Sequence, residues 1–146
     1  TDVVAIGLDY VPHSLDTETT ENAQRELGTA QNNTVQVDFE NLATLYATLQ
    51  IPAADGLYAK VGYVQVDVIT NENLATGGAY GNTELDGYTL ALGYQRDIQN
   101  DAFVRVEANY MELDGATLTN QNDSTKSVTA DGITGYGAKL SIGKSF

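Results

Sequence analysis

The last fourteen residues decide the fold: Ile133-Thr-Gly-Tyr-Gly-Ala-Lys-Leu-Ser-Ile-Gly-Lys-Ser-Phe146. Tyr136, Ala138, Leu140 and Ile142 alternate with glycine, lysine and serine. A period of two predicts a β-strand with one apolar face and one small or polar face. Both faces of this strand therefore need an environment that suits them.

The aromatic residues near the two ends of this strand suggest which environment each face meets. Tyr136 and Phe146 are ten positions apart, and at about 3.3 Å per residue and a tilt of about 40° they span about 25 Å. The apolar band of an outer-membrane β-barrel has about this height, with aromatic residues at its borders and polar residues in its lumen. The strand is therefore typical of a transmembrane barrel.

Composition and charge narrow the class further. The chain has 146 residues, no cysteine and a net charge of -13, which predicts one domain over residues 1–146 without disulfides or thiolate sites. Binding to nucleic acid is not expected, because phosphates need clustered Lys and Arg. The sequence contains no apolar run near the 18 or so residues of a membrane helix and no visible signal peptide, so an exported protein would be present in a mature or trimmed form.

The same alternation predicts six strands, separated in turn by long polar loops and short turns. The strands are Asp2–Val11, Thr34–Ile51, Leu57–Thr70 with a bulge near Gly62–Val64, Leu85–Asp97, Phe103–Leu113 and Ile133–Phe146. The long connections are 12–33, with one or two helical turns over 21–27, then 71–84 and 114–132. In outer-membrane barrels the short turns are periplasmic and the long loops extracellular, so a periplasmic C-terminus is expected.

Six strands are fewer than the eight of the smallest bacterial single-chain barrels. We expect that an N-terminal hairpin preceding Thr1 completes an antiparallel up-and-down transmembrane β-barrel of eight strands. The alternatives are a hairpin from another chain or a larger barrel formed by several copies.

Three segments resemble the small outer-membrane β-barrel family of the OmpA transmembrane domain, OmpX and the opacity proteins. They are Leu57-Tyr-Ala-Lys-Val-Gly-Tyr63, Gly87-Tyr-Thr-Leu-Ala-Leu-Gly-Tyr94 and Phe103-Val-Arg-Val-Glu-Ala-Asn-Tyr110. The chain end also resembles the C-terminal signal read by the barrel-assembly machinery, here Tyr136, Leu140, Ile142 and Phe146. The resemblance implies a side-chain-filled polar interior, no catalytic residue, and contact with outer-membrane lipid and lipopolysaccharide of a Gram-negative bacterium.

The polar rows of the predicted strands carry most of the basic residues. A lumen charge network is expected from Glu40, Lys60, Arg105, Glu107 and Lys139, with Asp9, Asp38 and Asp67 as further candidates. It would either hold the barrel shut through ion pairs or form a charged constriction. An aromatic girdle is expected from Tyr10, Tyr63, Tyr88, Tyr94, Tyr110, Tyr136 and Phe146.

Little in the sequence indicates catalysis or a bound cofactor or metal. The one histidine, His13, lies in a predicted loop, and the adjacent Ser14 would point away from it on an extended chain. The leading hypothesis is a non-catalytic outer-membrane protein that acts in envelope structure or surface interaction through acidic loops. The alternatives are a narrow diffusion channel and a soluble ligand-binding barrel of lipocalin or avidin type.

Overall fold

A computed structural model describes residues 3–26, 29–75 and 78–145. The strands are β1 Val4–Val11, β2 Leu15–Asp16, β3 Thr20–Glu26, β4 Thr29–Gln50, β5 Leu57–Leu74, β6 Thr83–Asp97, β7 Ala102–Leu113, β8 Ala116–Thr119, β9 Ser127–Ala130 and β10 Ile133–Lys144. The predicted all-β class with antiparallel pairing is confirmed. Among the described residues, no helix is long and apolar enough to cross a membrane.

One curled sheet contains most of these strands, in the order β1-β4-β5-β6-β7-β10. The six strands of this path correspond to the six predicted strands. β2 and β3 also pair with β4, beyond the end of β1, so three short strands in succession cover one side of this long strand. β8 and β9 form a separate hairpin. The sheet has the shape of a half-barrel.

The curl gives the sheet a concave inner face and a convex outer face. On the inner face Tyr58 is fully buried, whereas Leu140 on the outer face is 71% exposed. The two edge strands approach each other over the inner face, because Asp9 of β1 and Lys139 of β10 form an ion pair. This ion pair brings the two edges together at one point, although β1 and β10 are not neighbours in the sheet order and β10 is exposed along most of its length.

Glycines opposite aromatic residues allow the sheet to curl. The three cross-strand pairs are Gly7 with Tyr46, Gly93 with Tyr58 and Gly143 with Phe103. A Cβ atom at any of these glycines would lie 2.2 to 2.4 Å from the aromatic ring opposite. Each ring thus occupies the space that a side chain would fill, an arrangement that also covers the glycine backbone.

The predicted bulge near Gly62–Val64 is wrong. β5 and β6 pair without interruption from Leu57 to Val68, and the register shift lies instead in β4, between Glu40 and Ala43. Asn41 at this bulge has a φ of 55°, a conformation that asparagine tolerates better than most residues. The apolar residues of β5 move from the outer face, with Val61 and Tyr63, to the inner face, with Val64, Val66 and Val68. They do so because the interior changes there from polar to apolar. The strand itself alternates between the two faces without a break.

An apolar core occupies the half of the inner face nearer the long connections. It consists of Val64, Val66, Val68, Leu85 and Leu113. These valines were predicted to share the face of Val61 and Tyr63, which are in fact exposed on the outer face. The interior is therefore polar next to the short turns and apolar next to the long connections.

Two of the predicted loops contain strands. The segment 12–33 includes β2 and β3, so the helical turns expected over 21–27 are wrong for 21–26, and Leu27 lies outside the described residues. The segment 114–132 contains β8 and β9. β3 has polar residues on both faces, and β8 and β9 each carry only two apolar residues, on one face. These strands are held by backbone pairing along β4 or with each other, which leaves little apolar alternation in the sequence.

Candidate functional site

A buried ion cluster lies in the polar half of the inner face. Lys60 Nζ is 3.2 Å from Asp9 Oδ2 and 3.2 Å from Glu107 Oε1. Glu107 is only 3% exposed and Lys60 8%, and Tyr58 Oη donates a hydrogen bond of 2.8 Å to Glu107. The Lys60 ammonium also lies 4.1 Å from the centre of the Tyr46 ring. Removal of one partner from such a cluster leaves a buried charge uncompensated.

Lys139 extends this cluster to the opposite edge of the sheet. Its Nζ is 3.1 Å from Asp9 Oδ2, so Asp9 accepts from two lysines. Two cations and two carboxylates, Lys60, Lys139, Asp9 and Glu107, thus balance each other. The cluster joins the edge strands β1 and β10 to the central strands β5 and β7.

Arg105 is on the inner face but binds a neutral partner. It donates a hydrogen bond of 2.7 Å to Gln95 Oε1 and lies over the rings of Tyr58 and Phe103, at 5.1 and 5.2 Å. The guanidinium therefore fills the interior between aromatic rings.

Three acidic residues expected in the lumen lie elsewhere. Glu40 pairs with Asp67 across β4 and β5, and Asp38 pairs with Ile69. These positions alternate with Phe39 and Val68, which line the interior, so Glu40, Asp38 and Asp67 belong to the outer face. The β4 bulge accounts for Glu40 and Asp38, because it reverses the facing of every residue on its loop side. Asp67 faces outwards because β5 lacks the bulge predicted near Gly62–Val64.

Four of the seven predicted girdle residues form a continuous row on the outer face. Tyr63 pairs with Tyr88 across β5 and β6, the rings of Tyr88 and Tyr110 are 6.1 Å apart, and those of Tyr110 and Tyr136 are 5.3 Å apart. Glu112 accepts hydrogen bonds from the hydroxyls of Tyr88 and Tyr110.

The remaining girdle and signal residues are separate from this row. Tyr10 is on β1 and donates to Asn41, and Tyr94 lies at the turn end of β6. Leu140 and Ile142 follow Tyr136 along the outer face of β10, both exposed. Phe146 lies outside the described residues.

His13 and Ser14 are exposed between β1 and β2. Ser14 donates a hydrogen bond to Asp16. Within residues 3–26, 29–75 and 78–145, no group of three His, Cys, Asp or Glu side chains is placed to hold a metal ion.

A cavity of about 860 Å³ lies beyond the apolar core, next to the long connections. Its apolar lining includes Val37, Phe39, Val68, Leu118 and Val128. Strands β3, β4, β5 and β6 and the β8–β9 hairpin all contribute residues to it.

Polar residues at the cavity are bound to their neighbours. Glu72 accepts from the backbone N–H of Tyr80, and Asp123 pairs with Lys126 at 3.4 Å. The hydroxyl and backbone N–H of Thr125 both donate to Asp123, which lowers the pKa of this carboxyl from its usual value. The acidic groups at the cavity are thus held in fixed positions.

The cavity was not predicted from the sequence. It requires that Val68 face inwards and that the segment 114–132 form a hairpin, and neither was expected. One indication of that hairpin was present in the sequence. Ala116 and Leu118 alternate with threonines, and Val128 and Ala130 alternate with Ser127 and Thr129.

Compared with protein-family models, with curated proteins and with solved structures, the chain shows no match. The family resemblance of the three β-strand segments therefore stays a prediction.

Proposed function

We propose that this chain forms the wall of a non-catalytic β-barrel in the outer membrane of a Gram-negative bacterium, with a structural or surface-interaction role. The observation that carries the proposal is the inversion of the two faces. Large apolar side chains cover the convex face, among them Ile6, Leu8, Leu90, Leu92, Val106 and Ile142, whereas a cluster of ion pairs occupies the half of the concave face next to the short turns. Soluble monomers seldom expose an apolar patch of more than a few hundred Å².

The borders of the apolar band support the same proposal. On β6 the outer face carries Asp86, then Tyr88, Leu90, Leu92, Tyr94 and finally Arg96. The eight positions from Tyr88 to Arg96 rise about 20 Å at about 3.3 Å per residue and a tilt of about 40°. An outer-membrane band of about 25 Å would cover this height, and the tyrosine row would lie where hydrocarbon meets water.

In a membrane, the edge strands β1 and β10 would need partners. An unpaired backbone N–H or C=O costs several kcal/mol in hydrocarbon. Additional strands, supplied by another segment or another chain, would therefore pair with both edges. The exposed row of Tyr136, Leu140 and Ile142 is the part of the described chain that fits recognition by the assembly machinery.

A channel is less well supported than a closed barrel. Lys60, Glu107, Tyr58 and Tyr46 contact one another in the polar half of the interior, where a conducting path would have to pass. We expect no steady single-channel current when the protein is reconstituted into planar bilayers. A steady, voltage-driven current would favour the channel instead.

The apolar outer band can be tested with one arginine substitution. Leu92 lies midway between Tyr88 and Arg96, so Leu92→Arg places a cation at the centre of the proposed band, where it costs about 2 to 4 kcal/mol. Ile98→Arg is the matched control, because Ile98 is exposed at the turn that ends β6, where a cation costs about 0 to 1 kcal/mol.

The measurement is the fraction of protein that folds into phosphatidylcholine vesicles and floats with them. We expect a large loss for Leu92→Arg and little change for Ile98→Arg. Equal insertion of the two variants, or a native chain that stays folded and monomeric in buffer without lipid, would contradict the proposal.

A further inference from the structure

The cavity next to the long connections has the size of a small-molecule site. Its volume of about 860 Å³ lies within the range of about 300 to 1,000 Å³ that is usual for ligand pockets. Two turns of an α-helix about 11 Å wide would fill about 1,000 Å³. The cavity is thus large enough for a small molecule and too small for a docked helix.

The lining of the cavity specifies a mostly apolar ligand. Val37, Phe39 and Val68 form one part of the lining, and Leu118 and Val128 of the hairpin form another. Val68 and the adjacent Leu85 are almost completely buried, so this side is continuous with the apolar core. Water gains few hydrogen bonds against such a surface, and an apolar molecule displaces it favourably.

Uncharged polar groups are also placed around this apolar surface. Thr70, Thr83 and Asn120 are among the lining residues, although the Asn120 Oδ1 atom already accepts from the backbone N–H groups of Ala79 and Asn122. A small number of such groups commonly orients a ligand in an apolar pocket. They can donate to or accept from a hydroxyl or carbonyl without burying a charge.

The charges at the cavity disfavour an anionic ligand. Glu72, Asp123 and Lys126 are its charged lining residues, and Lys126 is already paired with Asp123. The chain as a whole carries a net charge of -13. A carboxylate or phosphate at this end would meet acidic groups and no free cation among these three residues.

We propose that this cavity binds one elongated apolar molecule with an uncharged polar end, such as a long-chain alcohol or a monoacylglycerol. The apolar part lies against Val37, Phe39 and Val68, and the polar end meets the threonine hydroxyls. This inference goes beyond membrane insertion and does not depend on it, since the cavity is formed by the inner face and the β8–β9 hairpin.

Binding can be followed by NMR on the full chain, folded in lipid nanodiscs, with ¹³C-labelled valine and leucine methyl groups and decan-1-ol as the probe. We expect saturable shifts at Leu118 and Val128 of the cavity. The methyl resonances of Leu92 and Leu140, on the outer face, report any partition of decanol into the lipid. Their chemical shifts should change with decanol concentration without saturation. Decanoate should bind about tenfold more weakly, a difference of about 1.4 kcal/mol.

A filled cavity provides the matched test. Ala116→Trp introduces an indole into the lining, whereas Ala108→Trp makes the same change on the outer face of β7. We expect the dissociation constant for decanol to rise about tenfold or more in the first variant and to stay unchanged in the second. Ala130→Trp, at an exposed cavity position, repeats the test if Ala116→Trp fails to give the native methyl spectrum.

Three results would overturn the inference. The first is the absence of saturable shifts at Leu118 and Val128, the second is unchanged decanol affinity in a folded Ala116→Trp or Ala130→Trp variant, and the third is tighter binding of decanoate than of decanol. The flotation of Leu92→Arg is a separate readout. If the native chain does not insert into lipid, the same decanol titration is done in buffer. Failure of the membrane proposal is thereby distinguished from failure of the cavity proposal.

Discussion

Lys139, on one edge strand of the sheet, lies 3.1 Å from Asp9 on the other edge strand. The two residues are 130 positions apart in the sequence. Since Asp9 also pairs with the buried Lys60, this carboxylate links both edges of the curled sheet to its centre.

We therefore expect Asp9→Ala to destabilise the protein by about 2 to 3 kcal/mol, because the buried Lys60 loses a charged hydrogen-bond acceptor and keeps Glu107 as its carboxylate partner. Lys139→Ala should cost less than about 1 kcal/mol, because the Lys139 side chain is half exposed and such pairs contribute little. The measurement is urea unfolding of the lipid-reconstituted chain. Equal losses for the two variants would contradict the central position of Asp9.

The curl of the sheet predicts that two glycines respond in opposite ways to alanine. A Cβ at Gly93 would lie 2.2 Å from the Tyr58 ring, so Gly93→Ala should cost about 1 to 3 kcal/mol. Gly135 has no heavy atom within 4 Å of the same position, so Gly135→Ala should be neutral or stabilise by about 0.4 to 1 kcal/mol. Unfolding free energies measured side by side test the pair, and a harmless Gly93→Ala would show that the ring is free to move.

The β4 bulge predicts a preference for glycine over alanine at position 41. Asn41 has a φ of 55°, accepts from the Tyr10 hydroxyl at 2.7 Å and donates to Asp67 at 2.9 Å. Both Asn41→Gly and Asn41→Ala lose these hydrogen bonds. Alanine at position 41 has a higher free energy than glycine in the left-handed backbone conformation, so the glycine variant should be more stable by about 1 kcal/mol. Equal stability in urea titrations would mean that the bulge moves in the variants.

The turn at Asp123 predicts a dependence on acidic pH. Hydrogen bonds from Thr125 and the charge of Lys126 lower the pKa of the Asp123 carboxyl, so the turn is stabilised above the unfolded-state pKa. This contribution is lost as the pH falls through the lower, folded-state pKa. An NMR titration of the carboxyl carbon should show the lowered pKa, and Thr125→Val should move it back towards the usual value. An unchanged pKa in that variant would contradict the assignment.

The sequence by itself determined the class and the phase of most strands. The alternation of Tyr88, Leu90, Leu92 and Tyr94 with small or polar residues predicted β6 and its pairing with β7, because a strand with two unlike faces has only one arrangement that suits both. The positions of Lys60 and Glu107 within their strands followed from the same period, although the hydrogen bond from Tyr58 did not.

The tertiary structure alone decided what each face of the sheet contains along its length. A bulge of one residue at Asn41 reverses the facing of Glu40 and Asp38, and its position depends on the pairing of β4 with β5 rather than on local propensity. Val64 and Val68 could belong to either face until the neighbouring strands were in place. The β8–β9 hairpin and the cavity beside it likewise depend on backbone pairing between two strands of four residues each, in which hydrophobic periodicity has only two apolar residues per strand to detect.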